Sequence, residues 1–346
     1  MKPTVLLNRI NVIDLIRGFA LMGLPFVNIL ALWSFSITLS NQQYDVYAQR
    51  FLYLFVEGRF YAIFSFLFGL GVWIFLSRAI EKHERPYMIY VRRMLILLLI
   101  GIIHQFFQPG EALMIYAIFS FLILGCIKLP KQVNLVLGVV GIIIGSVVGA
   151  KILLPLPFML LGLAFGQYQL FENRSKYRNK WIATMMISCM ITIGLSIYLW
   201  QQAPEHGLRM LENAYINEEL QLNSNIQFYE FANLAMTYAP VFSIFYVSFL
   251  VVIEPFMYKI LQPLNAFGRM AFTNYIGQTA ILLVVIALWP TGEMISYTMT
   301  MIVCAAVVIT QIVFSVIWLK VFKYGPLEWL WRCGTYGQWL ALKKND

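Results

Sequence analysis

The stretch GIIHQFFQPGEAL places a histidine and a glutamate seven residues apart among apolar residues. Pro109 and Gly110 predict a tight turn between His104 and Glu111. A histidine acts as a general base near neutral pH when a carboxylate orients its ring. The pair therefore indicates proton abstraction by His104, with Glu111 as its orienting carboxylate. The alternative is a buried histidine that serves only as a structural hydrogen-bonding group.

A second polar set begins in NVIDLIRGFALMGLPFVN, where Asp14 and Arg17 lie three residues apart and share a helix face. One interpretation is an ion pair that reaches the cytoplasmic interface. The other is a basic pocket for an anionic ligand, in which Asp14 orients Arg17. Arg269 and Asn274 come from a later apolar run. With Asp14 and Arg17 they are predicted to form an inner layer of polar residues, near the cytoplasmic side of the membrane, that binds the cofactor. We expect Arg269 to lie close to Asp14 and Arg17 in the folded protein.

A third set is predicted to lie in the outer layer with His104 and Glu111, and its members are candidate substrate-binding residues: Asn28, Glu57 and Arg59. Glu57 and Arg59 are two residues apart, so they do not face each other on a helix. We expect each to have a partner on another span. Charges inside a bilayer are costly and usually face a bundle interior or a wet cavity.

The composition predicts where these residues lie. Of the 346 residues, 60% are hydrophobic and 12% are charged, whereas soluble domains carry roughly 25% charged residues. The chain is therefore predicted to be a membrane protein. A glycine-rich phosphate loop, a basic nucleic-acid recognition helix and metal-ligand spacing are all missing from the sequence, so we expect neither a metal nor nucleic acid as a partner.

Long apolar runs predict an all-α, polytopic bundle with about ten transmembrane helices in a single integral membrane domain, 1–346. Two runs in 92–127 are short, so eight full spans with a re-entrant hairpin is the alternative. The ten predicted spans are 12–33, 51–76, 92–109, 112–127, 133–150, 152–170, 181–200, 230–253, 266–289 and 294–319.

The positive-inside rule gives the orientation. Most of the 25 lysines and arginines fall in segments that are cytoplasmic when the N-terminus is inside, and the outer segments hold Arg50, Lys151 and Arg209. Both termini are therefore predicted to be cytoplasmic, with a tail over 320–346. The loop 201–229 lies outside and is predicted to contain a short amphipathic helix. The motif GPLEWLWR predicts an amphipathic interfacial helix; the alternative is that Arg332 closes the inner pocket.

Five motifs in the same order resemble those of the bacterial YeiB family and cover nearly the whole chain. They are RINVIDLIRGFALMGLPFVNI (9–29), GRFYAIFSFLFGLG (58–71), RRMLILLLIGIIHQFFQPGEALMIYA (92–117), LNAFGRMAFTNYIGQT (264–279) and GPLEWLWR (325–332). This resemblance implies a multi-pass protein of the bacterial cytoplasmic membrane.

The first motif also resembles the opening helix of the transmembrane acyltransferase superfamily, whose members carry acyl groups from a cytoplasmic thioester to an acceptor across the membrane. The pattern of its O-acetyltransferases is Asp-x-x-Arg and, after ten further residues, a histidine. Asp14 and Arg17 match this pattern, but Asn28 stands at the histidine position. Because asparagine cannot act as a general base, the resemblance implies that His104 supplies the base, or that acyl transfer is not the activity.

Together these features favour a membrane acyltransferase that uses acyl-CoA, such as acetyl-CoA, as co-substrate and acts on a cell-envelope or small-molecule acceptor. The alternative is a transporter or exporter with a buried polar path. Membrane lipids are the expected surroundings. The identity of the acceptor and the oligomeric state, including a homodimer, are left open.

Overall fold

The computed structural model describes residues 10–33, 37–38, 43–82, 85–149, 152–204, 218–290 and 293–344. These ranges form a bundle of α-helices with two short parallel strands. The elements are α1 Asn11–Leu32, β1 Ile37–Thr38, α2 Gln43–Phe51, a π-helix Leu52–Val56, α3 Arg59–Lys82, α4 Pro86–Gln105, α5 Leu113–Cys126, α6 Lys131–Val148, α7 Pro155–Gln167, α8 Arg178–Gln202, α9 Glu218–Thr237, α10 Ala239–Arg269, α11 Ala271–Leu288, β2 Ile295–Ser296, α12 Tyr297–Val321 and α13 Pro326–Tyr336.

The predicted all-α, multi-pass membrane architecture is confirmed. Within the described ranges, eight helical segments are long and apolar enough to cross a membrane, whereas α5 and α7 have only 14 and 13 residues. At 1.5 Å per residue these two helices reach only about 20 Å, less than the roughly 30 Å of a hydrocarbon core. The predicted spans 112–127 and 152–170 are therefore shorter than full spans, and the alternative with eight long spans agrees better.

Three predicted spans are interrupted by a break in the helical backbone. The span 51–76 is interrupted at Gly58, whose φ of +78° ends the π-helix before α3 begins. The span 230–253 is divided at Tyr238, because Pro240 in the first turn of α10 cannot extend the preceding helix. The span 266–289 is broken at Met270, which separates α10 from α11.

The segments outside the long helices are partly helical. The predicted loop 201–229 includes the start of α9, but the amphipathic helix predicted around 208–222 lies largely outside the described residues. The predicted tail contains α13, which packs against α4 and α11. The indole Nε1 of Trp331 donates a hydrogen bond to the backbone carbonyl of Arg93 (2.9 Å). Thus α13 closes one end of the bundle as well as lying at its surface.

Close backbone contacts at glycine position the helix that carries Arg17. A Cβ atom at Gly268 on α10 would overlap the backbone carbonyl of Asp14, and one at Gly18 on α1 would overlap the carbonyl of Leu264. The absence of a side chain at both positions lets α1 and α10 touch at this crossing. The crossing fixes the position of Arg17 relative to Arg269.

We expect Gly268→Ala to destabilise the protein by about 1–3 kcal/mol, because the added methyl group must push two helix backbones apart. Thermal unfolding in detergent measures this effect. Gly194→Ala on α8 is the matched control, since none of the described atoms lies within 4 Å of a Cβ at that position. Equal melting temperatures for the two variants would contradict the packing argument.

Candidate functional site

His104 and Glu111 meet across the turn between α4 and α5. The Nδ1 atom of His104 is hydrogen-bonded to the Oε2 atom of Glu111, and both side chains are buried. Gly101 makes this possible, because its missing side chain lets α4 approach the backbone of Met114 on α5. The carboxylate therefore holds the imidazole ring as the sequence predicted, whereas the catalytic roles remain predictions.

Two further groups donate hydrogen bonds to Glu111. The hydroxyl of Tyr275 on α11 donates to Oε2 (3.2 Å), and the backbone N–H of Leu113 donates to Oε1. With Nδ1 of His104, three groups are hydrogen-bonded to the two oxygens of this carboxyl group. In the tautomer with its proton on Nδ1, His104 donates to Glu111 and its Nε2 atom accepts a hydrogen bond.

The Nε2 atom of His104 faces the hydroxyl of Thr279 on α11, at 3.0 Å. Thr279 lies halfway along α11, so His104 is nearer the middle of the bundle than the outer layer in which the sequence placed it. The physical reason is the shortness of the α4–α5 hairpin. Sequence reasoning missed Tyr275 and Thr279, although their i, i+4 spacing puts both on one helix face.

A cavity of about 490 Å³ opens at the end of the bundle that α13 covers, here called the basic end. Among its lining residues are seven cationic side chains and one carboxylate, Glu328. An excess of positive charge in a partly enclosed cleft favours anions. The cationic residues are Arg17, Arg78, Lys82, Arg93, Arg269, Lys323 and Arg332.

The cavity extends from these cations towards His104. Its middle is apolar, with walls that include Phe68, Phe75 and Leu97, and it is also lined by Leu113 and Tyr275. Tyr275 thus faces the cavity while its hydroxyl is bonded to Glu111. Tyr275 therefore contacts both the cavity and the buried pair of His104 and Glu111.

Arg17 is paired with Asp14 and also lines the cavity, whereas its binding of an anionic ligand stays a prediction. Its Nη1 atom donates to Asp14 at 2.9 Å, which is the expected ion pair. Arg17 also lines the cavity together with Arg269, so these two arginines border the same space. Asp14 is buried beside Gly268, and its carboxylate holds the Arg17 guanidinium through their ion pair.

Five of these seven cations were not predicted as primary site residues, and aromatic rings contact two of the five. The guanidinium of Arg93 lies 3.5 Å from the ring centre of Trp331 and 5.1 Å from that of Phe75. Arg332 lies over Tyr324 at 4.6 Å and lines the cavity, as the alternative interpretation of α13 held. Aromatic faces stabilise these cations while leaving their N–H groups directed elsewhere.

Glu328 supports the site by capping α11. Its Oε1 atom accepts from the backbone N–H groups of Phe272 (2.7 Å) and Thr273 (3.1 Å), and its Oε2 atom accepts from the Thr273 hydroxyl (2.5 Å). These are unsatisfied donors at the start of a helix. Burial raises the pKa of the Glu328 carboxyl, and the hydrogen bonds from Thr273 and Phe272 oppose that shift. The cap holds α13 over the cavity.

The other predicted site residues lie away from the cavity. The Asn274 amide donates to the Ser315 hydroxyl (2.9 Å) and to the Phe267 carbonyl (3.1 Å), so it holds α11 against its neighbours. Asn28 and Glu57 are half-buried.

Arg59 is fully buried on α3. Its Nη1 atom donates to the backbone carbonyl of Glu57 (2.6 Å), and its guanidinium lies 4.6 Å from the ring centre of Phe242. The structure thus joins Arg59 to the backbone of Glu57, two residues away, because the helix is broken at Gly58. Phe242 is on α10, so Arg59 also has a partner on another span, as expected from the sequence.

In the part of the chain that the structure describes, no group of three or more His, Cys, Asp or Glu side chains is placed so that it could bind a metal ion. The chemistry that the described site can perform is hydrogen bonding, proton transfer and nucleophilic attack by a hydroxyl group. The groups available for this are His104, Glu111, Thr279 and Tyr275.

Comparison with known proteins finds relatives that align with nearly the whole chain. A family profile described as "Protein of unknown function (DUF418)" matches residues 165–338. The "Uncharacterized 39.9 kDa protein in amylase 3'region" of Bacillus acidopullulyticus is 40% identical over 98% of this chain and 97% of its own length. YxaH of Bacillus subtilis strain 168 is 27% identical over 100% of this chain and 98% of its own length.

The Escherichia coli K12 protein YeiB is 23% identical over 92% of this chain and 94% of its own length. No solved structure matches the chain. The predicted likeness to the YeiB family is confirmed, whereas the more distant likeness to transmembrane acyltransferases stays a prediction.

We expect Glu111→Gln to lower stability by about 1–3 kcal/mol, because a glutamine amide leaves buried donors without the acceptor they have now. Thermal unfolding in detergent gives the shift. Glu293→Gln, at an exposed position, is the control and should leave the melting temperature unchanged. A Glu111→Gln protein as stable as the control would show that the carboxylate does not hold this cluster together.

Proposed function

The chain belongs to the DUF418 family, and we propose that it is a membrane-embedded acyltransferase of the bacterial cytoplasmic membrane. It would move an acyl group from a cytoplasmic acyl-CoA to a hydroxyl or amine on a cell-envelope or small-molecule acceptor. The observation that carries the proposal is the connection from the cation-lined cavity to the hydrogen-bonded pair of His104 and Glu111 through Tyr275.

The chemistry of the cavity fits the two ends of an acyl-CoA molecule. The phosphates of coenzyme A need cationic donors, and arginine binds phosphate with paired N–H groups. Arg17, Arg93 and Arg332 supply such donors at the basic end. The apolar walls farther in would accept the uncharged pantetheine arm and the acyl group, which brings the thioester towards Tyr275.

The histidine supplies the proton transfer that acyl transfer requires. His104 Nε2 accepts the proton of an attacking hydroxyl, and Glu111 stabilises the imidazolium ion that forms. The departing thiolate then takes that proton to become the coenzyme A thiol. The acceptor would approach from the face opposite the basic end, where Asn28 and Glu57 are half-buried and Arg59 lies close to Glu57, so these three remain candidates for acceptor binding.

Transport of an anionic molecule is the second candidate. The break between α10 and α11 at Met270 adjoins Arg269, which lines the cavity, and discontinuous helices beside a binding site are common in transporters. Under this alternative the cavity would bind the transported anion, and Tyr275 would close its path. Thioester cleavage distinguishes the two candidates.

We expect Arg93→Gln to weaken acetyl-CoA binding by about 10- to 100-fold, since one charge-assisted hydrogen bond contributes about 1.5–3 kcal/mol. Calorimetry on the protein in nanodiscs measures the dissociation constant. Arg178→Gln removes an equal charge at an exposed position that does not line the cavity, and it should bind like the wild type. An equal loss of acetyl-CoA affinity in both variants would mean that binding depends only on the net charge of the protein.

We expect His104→Gln to reduce coenzyme A thiol release by about 10²–10⁴-fold, the usual contribution of a general base, while acetyl-CoA binding stays within twofold. A thiol-reactive dye follows the release. If the wild type moves an anion across a vesicle membrane and releases no thiol from any acyl-CoA, the transport alternative replaces the enzyme.

A further inference from the structure

We propose that Thr279 is the nucleophile of this site and carries the acyl group as a threonine ester between donor and acceptor. The inference rests on the proposed acyl transfer and adds a second chemical step to it. The carboxylate of Glu111, the imidazole of His104 and the hydroxyl of Thr279 form a continuous hydrogen-bonded series. This is the arrangement by which a general base activates an otherwise weak hydroxyl nucleophile.

The geometry meets the requirement for such activation. The Nε2 atom of His104 lies 3.0 Å from Oγ1 of Thr279, within the hydrogen-bonding reach of a base and its nucleophile. The other ring nitrogen of His104, Nδ1, is hydrogen-bonded to Glu111, so the hydroxyl of Thr279 donates to Nε2. All three side chains are buried, where water competes little for the hydroxyl proton.

The hydrogen bond of the Thr279 hydroxyl differs from those of two other buried helical hydroxyls, Thr300 and Ser243. Serine and threonine inside helices usually donate to a backbone carbonyl three or four residues earlier. Thr300 does so to Tyr297 (2.7 Å), and Ser243 does so to Ala239 (3.0 Å). Among the described contacts, the Thr279 hydroxyl is instead bonded to His104. Its hydroxyl is thus committed to the base rather than to its own helix.

Tyr275 controls access to this hydroxyl. It lies one turn before Thr279 on α11, lines the cavity, and is held by its hydrogen bond to Glu111. A thioester that advances from the cavity reaches Thr279 when the Tyr275 ring moves aside. The hydroxyl released by this movement is free to donate to the developing oxyanion.

The two steps balance. In the first, Oγ1 of Thr279 attacks the thioester carbonyl, its proton moves to Nε2 of His104, the C–S bond breaks, and the thiolate takes the proton to leave as coenzyme A. In the second, the acceptor hydroxyl or amine attacks the ester carbonyl and gives its proton to Nε2. The bond to Oγ1 then breaks, and Thr279 regains the proton. No oxidant or reductant is required.

A covalent intermediate suits a donor and an acceptor on opposite faces. Coenzyme A is charged and would remain at the basic end, where the cations lie. The acyl group alone would be transferred to Thr279, halfway along α11. The acceptor then needs to reach only the ester, so the two substrates do not have to occupy the site together.

The test is covalent capture with [¹⁴C]acetyl-CoA in nanodiscs without acceptor, quenched in acid and followed by intact mass and peptide mapping. We expect one acetyl group on Thr279 that alkali and hydroxylamine remove. Thr279→Ser should keep the label, and Thr279→Val should lose it and slow thiol release at least 100-fold. Thr300→Val is the matched control, because Thr300 is also buried and its hydroxyl bonds to its own helix.

An uncharged donor, p-nitrophenyl acetate, separates the two proposals because it does not need the cationic cavity. If acetyl-CoA releases thiol but leaves no label, and Thr279→Val retains the wild-type rate, the nucleophile is overturned and the acyltransferase stands. If only the nitrophenyl ester acetylates Thr279, the nucleophile is supported and the coenzyme A donor fails. A label mapped to His104 or to a cysteine, or no label from either donor, overturns the Thr279 assignment.

Discussion

The carboxylate of Glu111 is the group on which the centre of the molecule depends. A buried carboxylate is tolerated inside an apolar bundle only when its oxygens are hydrogen-bonded. Glu111 accepts bonds from His104 on α4, from Leu113 at the start of α5 and from Tyr275 on α11. The same contacts therefore join three helices and fix the orientation of the imidazole.

The basic end carries an excess of positive charge, because its cations outnumber the carboxylates among the described residues that line the cavity. Arg93 packs between the aromatic rings of Trp331 and Phe75, and Asp14 accepts one bond from Arg17. Glu328, the one carboxylate among the described lining residues, accepts hydrogen bonds from the first turn of α11. The remaining positive field is directed into the cavity, where an anionic ligand would compensate it.

The break at Met270 determines how the basic end and the cluster around Glu111 are placed relative to each other. It lets α11 begin beneath α13, where Glu328 caps it, and directs Tyr275 and Thr279 towards the α4–α5 hairpin. The cavity and the buried hydrogen-bonded series are thus built on adjacent turns in the first half of α11. A ligand that moves Tyr275 changes the hydrogen bonding of Glu111 at the same time.

Composition and the lengths of the apolar runs determined that the chain is a multi-pass membrane protein, because lipid permits few other structures for such a sequence. The Pro-Gly turn also predicted the pairing of His104 with Glu111, since both residues are close in sequence. Only the tertiary structure decided that Thr279 and Tyr275 complete this pair, that Arg93 and Arg332 face the cavity with Arg17, and that Asn274 does not. These contacts join residues far apart in the chain, and helix rotation and crossing, which local periodicity does not specify, determine which side chains meet.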